Sequence, residues 1–388
     1  MSEQDAYDAI VIGAGQAGLA AGFHLQHAGL RFTILEAGDS AGGSWKHYYR
    51  SLRLFSPARY SALPGLPFPG DPGHYPSRDA TIDYLARYAT THKLPVTTDC
   101  RVNEVKRRPD GLFEVHTTRG PFLARALIAA SGSFQRPRLP SLPGQNDFRG
   151  RLLHSLAYEA PEAFAGQRVV VVGAANSGVQ IATELAQVAQ VSIAARRPPS
   201  FIRQRILGAD VHAWWSAFGL DSAEIGTWRA DLFKRMHSKT GPSVLDAGVY
   251  QAAVAAGRPD VRPMFHAFSP DGVVWQDGQA EPVDAVIFAT GFLPSLEYLR
   301  ALGALDPSGM PLQRGGISRT VAGLYHVGLS YQRTYASATL RGVGPDAEIV
   351  VKHLRHHLAQ RQASPHTRAT SPATFARTAA IDGKTKEA

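Results

Sequence analysis

Cysteine is almost absent: Cys100 is the only one among 388 residues. A single thiol excludes an internal disulfide scaffold and a Cys-x-x-Cys redox pair, and it favours a cytoplasmic setting. Long hydrophobic runs are missing too. No stretch approaches the roughly 20 apolar residues that a membrane-spanning helix needs. The first residues, Met1-Ser2-Glu3-Gln4-Asp5, are polar and lead straight into an apolar strand, so no signal peptide is expected. Acidic residues are outnumbered, 32 against 41 Lys and Arg, for a formal charge of +9. The excess is dispersed, with Lys106-Arg107-Arg108 and Arg196-Arg197 as its densest runs. That pattern suits a generally basic surface with local anion sites better than a nucleic-acid-binding face. The expected partners are small molecules, with neither nucleic acid nor membrane. A homodimer is left open.

Apolar residues are plentiful, at 44% of the chain, enough for full cores in two domains at this length. One small unit occurs twice. Its first copy runs Ile10-Val11-Ile12-Gly13-Ala14-Gly15-Gln16-Ala17-Gly18, and its second Val170-Val171-Val172-Gly173-Ala174-Ala175-Asn176-Ser177-Gly178. An apolar strand, a glycine turn and a helix in that order form the opening of a dinucleotide-binding βαβ unit. Gly13 permits the tight turn, Gly15 lets the backbone approach a pyrophosphate, and Gly18 lets helix and strand pack closely. The helix N-terminus then supplies donors and the positive end of its dipole. In the second copy Ala175 replaces the middle glycine, and its methyl is expected to displace the loop or loosen binding.

The two copies close on opposite charges. Glu36 follows Gly13 by 23 residues, and Arg196 follows Gly173 by the same interval. That position meets the adenosine ribose. A carboxylate accepts from the ribose hydroxyls and repels a 2′-phosphate, whereas a guanidinium pairs with one. FAD at the first site and NADPH at the second are the natural pair, with Arg197 available to stack on adenine or share the phosphate. Gly42-Gly43-Ser44-Trp45 adds a second backbone contact for FAD, with Trp45 over the ribityl or flavin region.

The repetition extends further. A meander is expected from Arg101–Arg108, Pro109-Asp110-Gly111 and Leu112–Thr117, closed by the strand Ala126–Ala130. Met264–Phe268, Pro270-Asp271-Gly272, Val273–Trp275 and Ala285–Ala289 repeat it. The fold class is α/β with two Rossmann-like domains. Residues 1–160 and 285–362 are assigned to the FAD domain, 161–284 to an inserted NADPH domain, and 363–388 to a flexible tail. The stretch Ser56–Arg78 holds six prolines and three glycines and reads as a structured loop.

Glu36…Gly42-Gly43-Ser44-Trp45, Phe148-x-Gly150-x-x-x-His154-x-x-x-Tyr158 and Gly173-x-Ala175-x-Ser177-Gly178 occur in one order. Together they resemble the flavin-containing monooxygenases, in their small bacterial branch, and more loosely the Baeyer–Villiger monooxygenases. The resemblance spans roughly residues 7 to 360. It implies FAD contacts at Gly13, Gly15, Gln16, Ala17, Gly18, Glu36, Gly43, Ser44, Trp45 and Val102. It implies NADPH contacts at Gly173, Ala175, Asn176, Ser177, Gly178, Arg196 and Arg197, and a flavin pocket lined by Phe55 and Ser56. Phe55 stands where larger members often carry an asparagine. The implied cycle has NADPH reduce FAD and O2 add as a C4a-hydroperoxide. A sulfide, an amine or a ketone then takes one oxygen. No side chain is assigned as catalytic, and His154 reads as structural. A flavoprotein reductase or oxidase is the first alternative, and a non-turnover flavin redox sensor the second.

Two other features carry less. His353, His356 and His357 share a helical face without a companion carboxylate, so no metal site is assigned. Trp214-Trp215 reads as packing.

Overall fold

The computed structural model describes residues 3–237 and 243–363. The tail expected after Gln362 lies outside these residues, apart from Ala363, which ends the last helix.

Two sheets organise the chain. The first has nine strands, and Tyr7–Ile12 sits between Phe32–Leu35 and Gly120–Ala129, parallel to both. Val102–Arg107 and Phe113–Thr117 form the expected antiparallel meander leading into Gly120–Ala129. The second sheet has five strands, with Arg168–Val172 between Gln190–Ala195 and Ala285–Phe288. Strands buried on both faces read as continuous apolar runs, which is why Ile10-Val11-Ile12 and Val169-Val170-Val171-Val172 are so uniform. Helices Gln16–His27, Arg78–Thr91 and Leu340–Ala363 cover one face of the first sheet. Leu296 and Leu299 cover the other.

Sheet membership shifts two segments from the expected division. Arg151–His154 and Ala285–Phe288 were assigned with the first unit, yet both hydrogen-bond in the second sheet. The reason lies in the repeat itself. Gly120–Ala129 pairs with the first glycine strand, so its counterpart Ala285–Phe288 must pair with the second.

The chain crosses between the sheets twice, and the crossings pair with each other as Arg136–Pro137 against Phe292–Leu293. His154 fastens this junction. Its Nε2–H donates to the Gly291 carbonyl at 3.0 Å, and its Nδ1 accepts from the Leu156 amide at 3.1 Å. Burial pushes its pKa below the usual value. A neutral imidazole with both nitrogens engaged on backbone is a structural clasp.

The proline-rich loop is as ordered as expected. Its backbone groups need partners once covered, and two tyrosines of helix Arg78–Thr91 provide them. The Tyr84 hydroxyl accepts from the Leu63 amide and donates to the Leu66 carbonyl, each at 2.7 Å. Tyr88 donates to the Pro64 carbonyl at 2.6 Å. The far end of the loop is tied back to its start, where Leu54 N–H donates to the Pro76 carbonyl at 2.8 Å and Arg78 N–H to the Leu52 carbonyl at 2.9 Å.

Candidate active site

The two glycine loops match bond for bond. Gly13 N–H donates to Leu35 and Gly173 N–H to Ala194, at 2.8 and 3.0 Å. Ala130 N–H reaches Ile12 and Ala289 N–H reaches Val172, at 2.9 and 2.8 Å. A Cβ on Gly18 would lie 1.8 Å from the Gly13 carbonyl oxygen, and one on Gly178 would lie 2.1 Å from that of Gly173. Gly15 and Ala175 are the N-cap residues, at φ −75°, ψ −174° and φ −90°, ψ −177°. The methyl of Ala175 therefore leaves the loop in place, contrary to the displacement considered from sequence.

Neither helix N-terminus carries a side-chain cap. The first-turn amides are orphan donors by geometry, and no serine or aspartate consumes them as at an ordinary helix start. A pyrophosphate fits both cradles on that ground. Gly43 packs against Gly15 so closely that a Cβ on it would meet Gly15 Cα at 2.9 Å.

Glu36 is 8% exposed. Its Oε2 accepts from the Ala14 amide at 2.6 Å and its Oε1 from the Gly38 amide at 2.8 Å. One lone pair per oxygen stays free for ribose hydroxyls. Arg196 and Arg197 follow directly on the end of the strand Gln190–Ala195, and both are exposed.

One cavity gathers most of the first set. Gly13, Gly15, Gln16, Ala17, Glu36, Gly43, Ser44, Trp45, Phe55 and Ser56 all line it. Asn176, Ser177 and Gln180 from the second glycine helix line the same cavity. Gly173, Ala175, Gly178, Arg196 and Arg197 stay outside its wall, in the second unit. Gly18 is also outside, buried at the helix–strand contact. Val102 stands apart: it pairs with Thr117 and packs beneath the sheet. Within the wall, Gln16 donates to the Ala338 carbonyl at 2.7 Å and accepts from Trp45 Nε1 at 2.9 Å, so the indole is held in one orientation.

Sequence reading missed the wall's remaining parts. Ser131-Gly132-Ser133, Gly328 and Ala338-Thr339-Leu340 come from distant segments. Tyr49, also in the wall, donates to Gln180 Oε1 at 2.6 Å and so joins the two units beside the cavity.

Phe55 is held from the second unit. Gln204 Nε2 donates to the Phe55 carbonyl at 3.1 Å and to Asp210 Oδ2 at 2.9 Å. The buried His212 ring stacks against Phe55 at 6.3 Å and donates through Nδ1 to Asp210 at 2.7 Å. Tyr75 also donates to Asp210. Burial opposes ionisation of Asp210, but the donors His212, Tyr75 and Gln204 outweigh it and hold its pKa at about 2. Gln204→Leu removes the tie to Phe55 and leaves its part-buried carbonyl without that donor. The loss is expected to cost about 1–2 kcal/mol and lower the melting temperature by a few degrees, as read by calorimetry. An unchanged melting temperature in the variant would contradict a structural role for the Gln204 tie.

Cys100 is buried outside the cavity wall. His356 pairs with Gln360 on the last helix. Trp215 is core, and Trp214 donates to the Ile206 carbonyl at 3.0 Å. Among the described residues no helix is long and apolar enough to cross a membrane.

Two dinucleotide cradles on this fold define the class, an NAD(P)H-dependent flavin oxidoreductase, and comparison with known proteins agrees. Residues 10–217 match the family described as pyridine nucleotide-disulphide oxidoreductase. A flavin-containing monooxygenase from Stenotrophomonas maltophilia superposes with a TM-score of 0.78 at 33% identity, over 92% of this chain and 99% of that one. An indole-3-pyruvate monooxygenase of Oryza sativa subsp. japonica is 30% identical, over 91% of this chain and 93% of its own. A CzcO-like oxidoreductase of Geobacillus kaustophilus is 31% identical, over 91% of this chain and 100% of its own. The chain belongs to the flavin-containing monooxygenases, within that larger pyridine-nucleotide family. The cofactors of this family are FAD and NADPH, and the two cradles fit them.

Proposed function

We propose that the protein is an NADPH-using, FAD-containing monooxygenase. It transfers one oxygen of O2 to a soft nucleophile, a sulfide or an amine and by extension a ketone, through a C4a-hydroperoxyflavin. The flavin domain is assigned to the nine-stranded sheet and the NADPH domain to the five-stranded one. The observation that carries this reading is the single cavity shared by both glycine helices. FAD on the first cradle and a nicotinamide from the second would meet there, and hydride transfer needs that contact. The wall contains no cysteine, histidine or lysine. Its residues bind, orient and exclude water, while the cofactors supply the redox chemistry.

In this reading Glu36 and the free amides at Gly15 hold the adenosine and pyrophosphate of FAD. Asn176 and Ser177 hold the pyrophosphate of NADPH, and Arg196 its 2′-phosphate. The overall balance is NADPH, a proton, O2 and a thioether giving NADP+, a sulfoxide and water. Turnover under 18O2 with methyl phenyl sulfide tests it. The sulfoxide is expected to carry one labelled oxygen, at close to one sulfoxide per NADPH consumed. NADPH oxidation that yields only labelled hydrogen peroxide would make the protein an oxidase or reductase instead.

A further inference from the structure

The cavity wall contains one cation. Arg53 lines it as an exposed residue, and no other lysine, arginine or histidine does. The wall's one carboxylate, Glu36, accepts from the Ala14 and Gly38 amides and forms no ion pair with Arg53 among the described residues. No ion pair engages Arg53 among the described residues. Its single hydrogen bond is a long one, from Nη1 to the Tyr75 carbonyl at 3.4 Å. A guanidinium has five donors, so most of its capacity is unused. Asp210 is reached by the Tyr75 hydroxyl, but it is saturated by Gln204, His212 and Tyr75.

The position is built rather than incidental. Arg53 bridges Ser77. On its two sides, Arg78 N–H donates to Leu52 and Leu54 N–H to Pro76, at 2.9 and 2.8 Å. Its neighbours Leu52, Leu54 and Phe55 supply apolar wall. An unpaired cation beside apolar surface suits a ligand with an apolar body and an anionic head. Without a cation, a carboxylate entering such a wall would lose its hydration uncompensated, and a neutral analogue would be preferred.

We propose that Arg53 is a substrate-binding residue that selects carboxylate-bearing soft nucleophiles. The carboxylate docks on the Arg53 guanidinium, and the apolar body lies along Leu54 and Phe55. This rests on the monooxygenase reading above. The FAD pyrophosphate is placed at the Gly15 amides, so the competing anion to test is a phosphate of the nicotinamide cofactor, and the experiment separates it from the substrate.

The test compares (phenylthio)acetate with its methyl ester on the FAD-loaded full-length enzyme. The wild type is expected to favour the acid at least tenfold in kcat/KM. In Arg53→Gln that ratio is expected to fall to one or below, and Arg53→Lys is expected to restore part of it. The dissociation constant for NADPH is measured on the same variants. A rise of tenfold or more there, with the acid-to-ester ratio unchanged, assigns Arg53 to the cofactor and overturns the proposal. So does a wild type that favours the ester. Should Arg53→Gln not fold, binding of (phenylthio)acetate to wild-type holoenzyme, followed by flavin absorbance, is expected to weaken at least threefold between 50 and 500 mM salt. A salt-independent constant would count against the ion pair. Because that titration needs no turnover, acid that binds in an Arg53-dependent way yet is never oxygenated would overturn the monooxygenase reading and leave the anion site standing.

Discussion

Gly18→Ala is expected to destroy flavin binding and destabilise the whole protein, whereas Gly15→Ala should cost flavin affinity alone. The two glycines are three residues apart, Gly15 at the N-cap and Gly18 in the first turn of the same helix, but their surroundings differ. A Cβ on Gly18 would lie 1.8 Å from a backbone carbonyl oxygen that cannot move without moving the strand turn. Overpacking of this kind costs about 3 kcal/mol or more. For a domain of this size that is a fall of roughly 10 °C in melting temperature. A Cβ on Gly15 would meet nothing nearer than Gly43 Cα at 3.9 Å. Ala175 already shows the same backbone with a methyl in place. The methyl at Gly15 would instead face the pyrophosphate, so the apoprotein should melt within about 2 °C of wild type. Its flavin should dissociate at least ten times more readily. Melting curves of apo and loaded forms check both statements. Equal destabilisation by the two substitutions would contradict the assignment of Gly15 to ligand contact.

The second large effect concerns Arg196. Replacing a guanidinium that pairs with a phosphate removes a charge-assisted hydrogen bond, worth about 1.5–3 kcal/mol. Arg196→Ala is therefore expected to lower kcat/KM for NADPH by roughly 10- to 100-fold. The value for NADH, which has a hydroxyl at that position, should change less than about threefold. Arg196 is exposed and follows the last residue of its strand, as Glu36 does in the first unit. Steady-state kinetics with the two nicotinamides checks it, and equal losses with both would sink the assignment to the 2′-phosphate.

Both predictions rest on features that were legible in the sequence. Strand, glycine turn, helix and closing charge are local, and their spacing is set by the geometry of one βαβ unit. Glu36 could be found because a fixed path of 23 residues leads to it from Gly13. The meander and its closing strand were visible for the same reason.

What could not be read is what depends on long-range contact. The cavity wall takes Gly328 and Ala338–Leu340 from about 300 residues beyond the first glycine loop, and no local pattern marks them. The Gln204–Phe55 tie joins residues 149 apart. The helices Val211–Ala217 and Trp228–His237 are short, with Phe218 just past the first 64% exposed and Trp228 opening the second 70% exposed, so the apolar residues there do not trace one buried face. Ala285–Phe288 reads from sequence as the strand that closes the second repeat, although a division at residue 285 sets it with the first unit. Its pairing follows the repeat instead.

Oxygen transfer and simple reoxidation use the same two cradles and differ in one flavin adduct. Stopped-flow absorbance separates them most directly. The FAD-loaded protein is reduced anaerobically with NADPH and mixed with oxygenated buffer. A transient C4a-hydroperoxyflavin is expected, and its decay should accelerate when methyl phenyl sulfide is present. Direct return to oxidised flavin, with no adduct and no response to the sulfide, would contradict the monooxygenase reading.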